Sequence, residues 1–105
     1  MAALLDSADP ATGEQLTVSN GCIACHSLQK DQVLVGPSWY SVGATAATRV
    51  EGESAPAYLY QSITDPNAHI VEGFQPNLMP QIYKDTLTPA QLADIIAYLL
   101  SLKGQ

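Results

Sequence analysis

Apolar residues recur at helical spacing most clearly near the C-terminus of this 105-residue chain. One apolar stripe there has members three or four positions apart, namely Leu92, Ile95, Ile96, Leu99 and Leu102. The stripe follows a start signal in which Thr88 is the N-cap, Pro89 takes the first helical position and Gln91 completes a capping box. The pattern predicts a long C-terminal helix.

The N-terminal part of the chain carries a second helix signal. Asp9 is a good N-cap and the proline after it is tolerated in a first turn, so a helix is predicted over residues 10–20. Residues 1–9 are expected to be a flexible lead-in to a single domain over residues 10–105. Gly21, just after the predicted helix, is expected to make room for a close approach of the next segment.

A third helix is predicted over residues 56–64, after a start signal at Ser54 and with Leu59 and Ile63 four apart on its apolar face. The stretches between the three helices are rich in Gly, Pro and small residues, which favour loops. These predicted loops are residues 27–53 and 68–86. The chain is therefore expected to be all-α, with three main helices, long loops and no assigned strand.

The charge balance excludes one class of partner. Ten acidic residues against four basic ones give a net charge of −6, whereas nucleic-acid binding needs clustered cations. The longest wholly apolar run has six residues, over 95–100, far below the ~20 that a membrane-spanning helix needs. The first residues also lack the basic start and apolar length of a signal peptide.

The chemistry of the chain is concentrated at residues 22–26. Cys22, Cys25 and His26 form the Cys-X-X-Cys-His pattern by which c-type haem is attached. One helical turn places both thiols on the same side, where each can add to one vinyl group of the porphyrin. The imidazole of His26 follows directly and is suited to bind the iron as its proximal ligand. The pattern predicts one covalent haem c.

Two other uses of this motif fit the chain less well. A dithiol redox motif normally follows a strand in a βαβ unit, and no strand-like run precedes Cys22. A closed zinc site needs four ligands, but the chain has no third cysteine and its other histidine, His69, lies 43 residues beyond His26. Because thioether attachment normally takes place outside the cytoplasm, we expect a periplasmic protein from which a signal or membrane anchor has been removed.

The sixth position of the iron would decide the function. Met79 is the only internal methionine, and Pro76 and Pro80 restrict the backbone around it. A flexible core filler is the ordinary role of methionine, but a loop held in this way favours a thioether ligand. His69 is the next candidate for this ligand and Lys84 the third. If they do not bind the iron, His69 is an exposed or capping loop residue and Lys84 is a solvated lysine.

The chain resembles the small monohaem class I c-type cytochromes along nearly its whole length. The matching segments, in order, are residues 13–16, 21–27, 35–37, 78–80 and 94–99. The resemblance implies that the first and last helices cross near a right angle, with Leu16 against Ile95 and Tyr98 beside them. It also implies that the carbonyl of Pro37 accepts the ring N–H of His26. One departure is Thr17, where the family usually has an aromatic residue.

The resemblance implies an electron carrier, not an enzyme, with a His26 and Met79 ligated haem. Its expected partners are redox proteins such as a terminal oxidase or a quinol-oxidising complex, and the chain is expected to be a monomer. The alternative is a haem sensor or peroxidase with a displaceable sixth ligand. Trp39, with Tyr40 and Arg49, is a candidate to bind the haem propionates; core packing of the two aromatics and solvation of Arg49 are the alternatives.

The familiar mitochondrial carriers are basic around the haem edge, whereas this chain is acidic. A negative field repels acidic docking sites, which leaves a basic docking site or an apolar one. The uncharged residues beside the expected ligands favour the apolar site: Ile23, Ala24, Val33, Leu34, Leu78 and Ile82. An apolar interface predicts electron transfer that changes little with ionic strength.

Overall fold

The computed structural model describes residues 2–24, 26–30, 38–49, 52–65 and 83–103, and all regular structure within these ranges is helical. The helices are α1 (Ala2–Leu5), α2 (Pro10–Ser19), α3 (Val42–Arg49), α4 (Ala55–Thr64), α5 (Tyr83–Thr86) and α6 (Pro89–Ser101), with a 3-10 turn at Cys22–Ala24. The all-α fold expected from the sequence is confirmed.

Helix α6 begins where the capping box predicts. The Thr88 hydroxyl accepts the Gln91 backbone N–H at 3.1 Å, and the Gln91 side chain accepts the Thr88 backbone N–H at 2.9 Å. Its buried residues are Leu92, Ala93, Ile95, Ile96, Tyr98 and Leu99. The predicted apolar stripe therefore faces the core, and Ala93 and Tyr98 widen it.

Helix α2 is held at both ends by side-chain hydrogen bonds. The Asp9 carboxylate accepts the backbone N–H of Ala11 at 3.0 Å and caps the helix, as predicted. At the other end Asn20 donates both its backbone N–H and its side-chain amide to the Leu16 carbonyl, each at 2.9 Å. The Asp9 backbone N–H also donates to the Asp94 carboxylate at 2.8 Å, which ties the start of α2 to the middle of α6.

The contact between α2 and α6 is the largest between two helices in the described part of the chain. At its closest point Gly13 lies against the backbone of Asp94, and a Cβ on Gly13 would overlap the Asp94 carbonyl. One turn later Thr17 is completely buried, and its hydroxyl donates to the Glu14 carbonyl at 2.6 Å. Thr17 thus takes the inward position, while Leu16 is only partly buried at the edge of the core.

Helix α3 replaces part of the loop predicted over residues 27–53. Its sequence is made mostly of small residues and has no long apolar stripe, so periodicity gave no helix signal there. Packing against α6 explains the helix: the Gly43 backbone N–H donates to the Leu102 carbonyl at 2.7 Å, and a Cβ on Gly43 would overlap the Leu100 carbonyl. The loop prediction is wrong for Val42–Arg49.

The other elements differ from prediction in smaller ways. Helix α4 begins one residue early, with Ser54 as its N-cap and with Leu59 and Ile63 buried as expected. The short helix α5 lies inside the loop predicted over residues 68–86. Residues expected to be a flexible lead-in include α1, from which Leu5 packs against the core. The domain boundary at residue 9 stays a prediction.

Gly21 has a different role from the one expected. A Cβ at Gly21 would meet no atom within 4 Å, so no close approach takes place there. Its φ of +74° lies in the left-handed region, which only glycine adopts without strain. Gly21 therefore forms a left-handed turn after α2, and a close approach of the kind expected at Gly21 is found at Gly13 instead.

Tyr98 is a buried titratable residue of α6. Its side chain is buried, and burial raises the pKa of Tyr98 above its usual 10.0, with a smaller contribution from the negative charge of Glu14. The folded state therefore holds the phenol proton to a higher pH than the unfolded chain does. The contribution of the Tyr98 proton to the free energy of unfolding is complete below pH 10, and it is lost as the pH rises towards the folded-state pKa.

We expect Gly13→Ala to lower the free energy of unfolding by about 1–3 kcal/mol, because the new methyl group meets a backbone carbonyl that cannot move aside. The better helix propensity of alanine returns only about 0.5–1 kcal/mol. Urea unfolding of the haem-loaded protein measures the change. Gln15→Ala, on the exposed face of α2, is the control and should stay within about 0.5 kcal/mol. Equal stability of both variants would contradict the close contact.

We expect the free energy of unfolding to fall more steeply above pH 10 in the wild type than in Tyr98→Phe, because only the wild type buries a phenol with a raised pKa. Glu14→Gln should reduce this slope in part. Urea unfolding across the alkaline range measures it, and Tyr60→Phe, in which the altered side chain is exposed, controls for the substitution itself. If the free energy of unfolding of Tyr98→Phe fell with pH as steeply as that of the wild type, Tyr98 would not be the group that causes the alkaline loss of stability.

Candidate haem site

The attachment motif begins directly where α2 ends. After the turn at Gly21, residues Cys22–Ala24 form one 3-10 turn, and the His26 backbone N–H donates to the Cys22 carbonyl at 3.1 Å. This bond closes one helical turn between Cys22 and His26, as the motif predicts. Cys22 is half-buried against the hydrophobic core and His26 is also half-buried. The thiol and the imidazole therefore belong to one short, wound segment beside the core.

The segment after the motif is tied to residues 38–40. The Trp39 backbone N–H donates to the Ser27 carbonyl at 2.7 Å, and the Ser38 hydroxyl donates to the Gln29 carbonyl at 2.6 Å. The Ser27 hydroxyl in turn accepts the Gln29 backbone N–H at 3.0 Å. Because Ser27 is buried and follows His26 directly, these bonds hold the tryptophan segment close to the imidazole.

Trp39 lies against the imidazole of His26. The two ring centroids are 4.7 Å apart and the ring planes differ by only 12°, which is a stacked pair. The indole is itself only 7% exposed and belongs to the hydrophobic core. Core packing, one of the two roles expected for Trp39, is therefore observed. One of the rings that Trp39 packs against is the imidazole of the predicted iron ligand, His26.

A long-range hydrogen bond joins the end of α2 to α5. The Tyr83 hydroxyl donates to the Asn20 carbonyl at 2.8 Å, two residues before Cys22. The bond links positions 63 apart in the sequence, and Tyr83 is buried. The sequence carries no signal for this contact, because a tyrosine in a predicted loop has no periodicity that would point to its partner.

Arg49 is engaged at the end of α3. Its guanidinium carbon lies 5.8 Å from the centroid of the Tyr58 ring, within the range of a cation–π contact. Its nitrogens donate to the Tyr58 hydroxyl and to the Thr45 hydroxyl, each at 3.5 Å. Its side chain thus connects α3 to α4. Tyr40 is half-buried beside Trp39.

Several predicted site residues lie outside the described residues. These are Cys25, Pro37, His69 and Met79, and of Lys84 only the backbone is described. The second thioether, the acceptor for the His26 ring N–H and the sixth ligand therefore stay predictions.

The described residues fit a covalently attached haem. Cys22 supplies one of the two thiols that such a haem requires, and His26, one helical turn away, supplies an imidazole for the iron; both are half-buried beside the core. A family model described as Cytochrome c matches residues 10–103, which is nearly the whole chain. This chain belongs to the cytochrome c family. The search of curated proteins finds no significant match.

Members of the cytochrome c family carry haem c and typically serve as electron carriers, although some are peroxidases. The resemblance drawn from the motifs is thereby confirmed, and the coarse function is haem-based electron transport. None of the described helices has the length and apolar character to cross a membrane.

Proposed function

We propose that this cytochrome c domain is a one-electron carrier with a single haem c, attached through Cys22 and Cys25 and ligated by His26 and Met79. The observation that carries the proposal is the closed turn between Cys22 and His26, which brings a thiol and an imidazole together beside the core. The bound haem would supply an iron that alternates between the ferric and ferrous states.

The chain's own residues would set the properties of that iron. His26 would supply a nitrogen ligand, and the sulfur of Met79 would favour the ferrous state and raise the potential. The core beside Cys22, with Trp39 over the imidazole, would keep water from the proximal side. If His26 and Met79 both held the iron, oxygen and peroxide would have no binding position, which is the property that separates a carrier from a sensor or peroxidase.

The compartment and partners are also part of the proposal. Because thioether attachment normally takes place outside the cytoplasm, we propose that the protein works in the periplasm, with membrane contact only through a partner or an anchor. We propose that it acts as a monomer between redox proteins such as a quinol-oxidising complex and a terminal oxidase. The distribution of apolar and charged residues on this protein supports one docking surface for these redox partners.

Three large apolar side chains near the attachment motif are exposed. Val18 is 58% exposed, Leu28 44% and Ile23 39%, and all lie within six positions of Cys22 in the sequence. Residues 15–29 contain no Asp, Glu, Lys or Arg. We call Val18, Ile23 and Leu28 the apolar group. Of these three, only Ile23 belongs to the set expected from the sequence.

Three acidic residues of the described part of the chain, Asp9, Glu14 and Asp94, lie at the opposite end of α2. Asp9 caps the first turn of that helix, Asp94 binds its backbone, and Glu14 follows one turn later. A basic docking site would be attracted to this acidic end and would turn Cys22 away from the partner. A partner with an uncharged, apolar surface would instead meet the apolar group beside the attachment motif.

We expect Met79→Ala to lose the weak far-red band of a ferric Met-ligated haem and, once reduced, to bind carbon monoxide readily. The physical reason is that the variant has no thioether for the sixth position. Met79→His is the matched control and should stay low-spin, with a lower potential because imidazole stabilises the ferric state better.

Absorption spectra and redox titration measure these changes, after mass spectrometry of the denatured wild type has shown that haem remains attached. An unchanged spectrum in Met79→Ala would falsify the methionine assignment and point to His69. A wild type that is high-spin and binds ligands quickly would support the sensor or peroxidase instead.

We expect electron exchange with small anionic and cationic redox complexes to depend only weakly on ionic strength in the wild type. The Debye length shrinks from ~30 Å at 0.01 M to ~8 Å at 0.15 M, so a net charge of −6 at the exchange site would give a strong dependence. Stopped-flow rates across this range measure the local charge that the reagents meet.

Ile23→Asp should slow the anionic complex at low salt and speed the cationic one, because it places a charge beside Cys22. Tyr60→Asp is the matched control, since Tyr60 is 42% exposed on α4 and Ile23 39% exposed. A steep salt dependence in the wild type, or equal effects of the two variants, would overturn docking at the apolar group.

A further inference from the structure

We infer that Trp39 is a positioning residue that sets the plane of the His26 imidazole. This inference rests on the proposed function, in which His26 is an iron ligand. It goes beyond that function because it names what determines the ligand's orientation. It also differs from both roles that the sequence suggested for Trp39, which were a hydrogen bond to a propionate and simple filling of the core.

The geometry of the pair supports orientation of one ring by the other. A centroid separation of 4.7 Å with planes 12° apart is face-to-face contact of two flat rings. Aromatic pairs prefer offset-stacked or edge-to-face arrangements within this range of separation. Rotation of the imidazole about its Cβ–Cγ bond would turn a ring edge into the indole face and end the stacking. The contact therefore favours one imidazole plane over the others.

The indole is the fixed member of the pair. Its residue is anchored through the backbone N–H to the Ser27 carbonyl at 2.7 Å, and Ser38 before it is anchored to Gln29. The indole is 7% exposed within the hydrophobic core, whereas His26 is only half-buried. A buried ring that is held at its backbone and packed on its other sides can impose an orientation on a ring that is less enclosed.

The orientation of an axial imidazole has electronic consequences. The π orbital of the imidazole stands perpendicular to its ring plane, so the plane decides which iron d orbitals it overlaps. In a ferric low-spin haem this overlap, together with that of the second iron ligand, sets the direction of the magnetic axes, so a change at the imidazole alone shifts them. The paramagnetic shifts of the haem methyl groups report that direction, which gives a measurement that does not depend on electron-transfer activity.

The test compares Trp39→Phe with Trp39→Leu in the haem-loaded protein. Phenylalanine keeps a flat ring without an indole N–H, and leucine keeps apolar character without a ring. We expect Trp39→Phe to retain the order of the wild-type methyl shifts and Trp39→Leu to change their order or spread. If Trp39→Leu does not assemble, Trp39→Met supplies a second ringless side chain that adapts to the space.

Each other outcome overturns the inference. Equal changes in both variants would indicate loss of a propionate hydrogen bond, because both lack the indole N–H. Wild-type shifts in both, with only a lower melting temperature, would indicate core filling. Tyr98→Leu controls for loss of a buried aromatic elsewhere in the core and should leave the methyl shifts unchanged.

The result is also separable from the proposed function. A wild type without covalent low-spin haem would end the carrier proposal before any variant is compared. A wild type with a normal ferric spectrum, together with Phe and Leu variants that behave alike, would end only the positioning role of Trp39.

Discussion

The close contact between α2 and α6 is the constraint on which the rest of the described structure depends. These helices come from opposite ends of the sequence, and Gly13 allows their backbones to meet at Asp94 without an intervening side chain. The Asp94 carboxylate also accepts the Asp9 backbone N–H at 2.8 Å, so one residue of α6 fixes both the start and the middle of α2. Helix α2 can then act as a rigid support for the segment that follows it.

That segment is the haem-attachment motif. Because α2 is held against α6, its C-terminal end has a defined place, and the turn at Gly21 delivers Cys22 to the edge of the core. The Tyr83 hydroxyl binds the Asn20 carbonyl from α5, which holds the same end of the helix from a second direction. A prosthetic group bound covalently at this point would share the rigidity of the helix pair, which suits a centre that changes charge with little movement.

The polarity of the surface divides along α2 in a way that agrees with an electron carrier. Acidic residues lie at its first turns, while its last turn and the attachment motif carry exposed apolar side chains and no charge. Trp39, which belongs to the described core, stacks on the half-buried imidazole of His26, so one face of that imidazole lies against an apolar ring.

The sequence by itself determined the features whose causes are local. The Cys-X-X-Cys-His spacing indicated the cofactor, and the capping box at Thr88 with its apolar stripe predicted α6 from neighbouring residues alone. The family match over residues 10–103 confirms the class that these signals indicated. Each signal depends on residues within one or two helical turns, where covalent geometry already brings them together.

Only the tertiary structure decided the features that join distant residues. Helix α3 has small residues and no stripe, and it is explained by the hydrogen bond of Gly43 to Leu102. Gly21 was expected to allow a close approach, but it supplies a positive φ, and the close approach occurs at Gly13. A glycine in a sequence does not reveal whether space or a positive φ requires it. The stacking of Trp39 on His26 likewise depends on backbone bonds that bring position 39 back to position 27. Packing free energy between distant segments, which no local pattern encodes, set these positions.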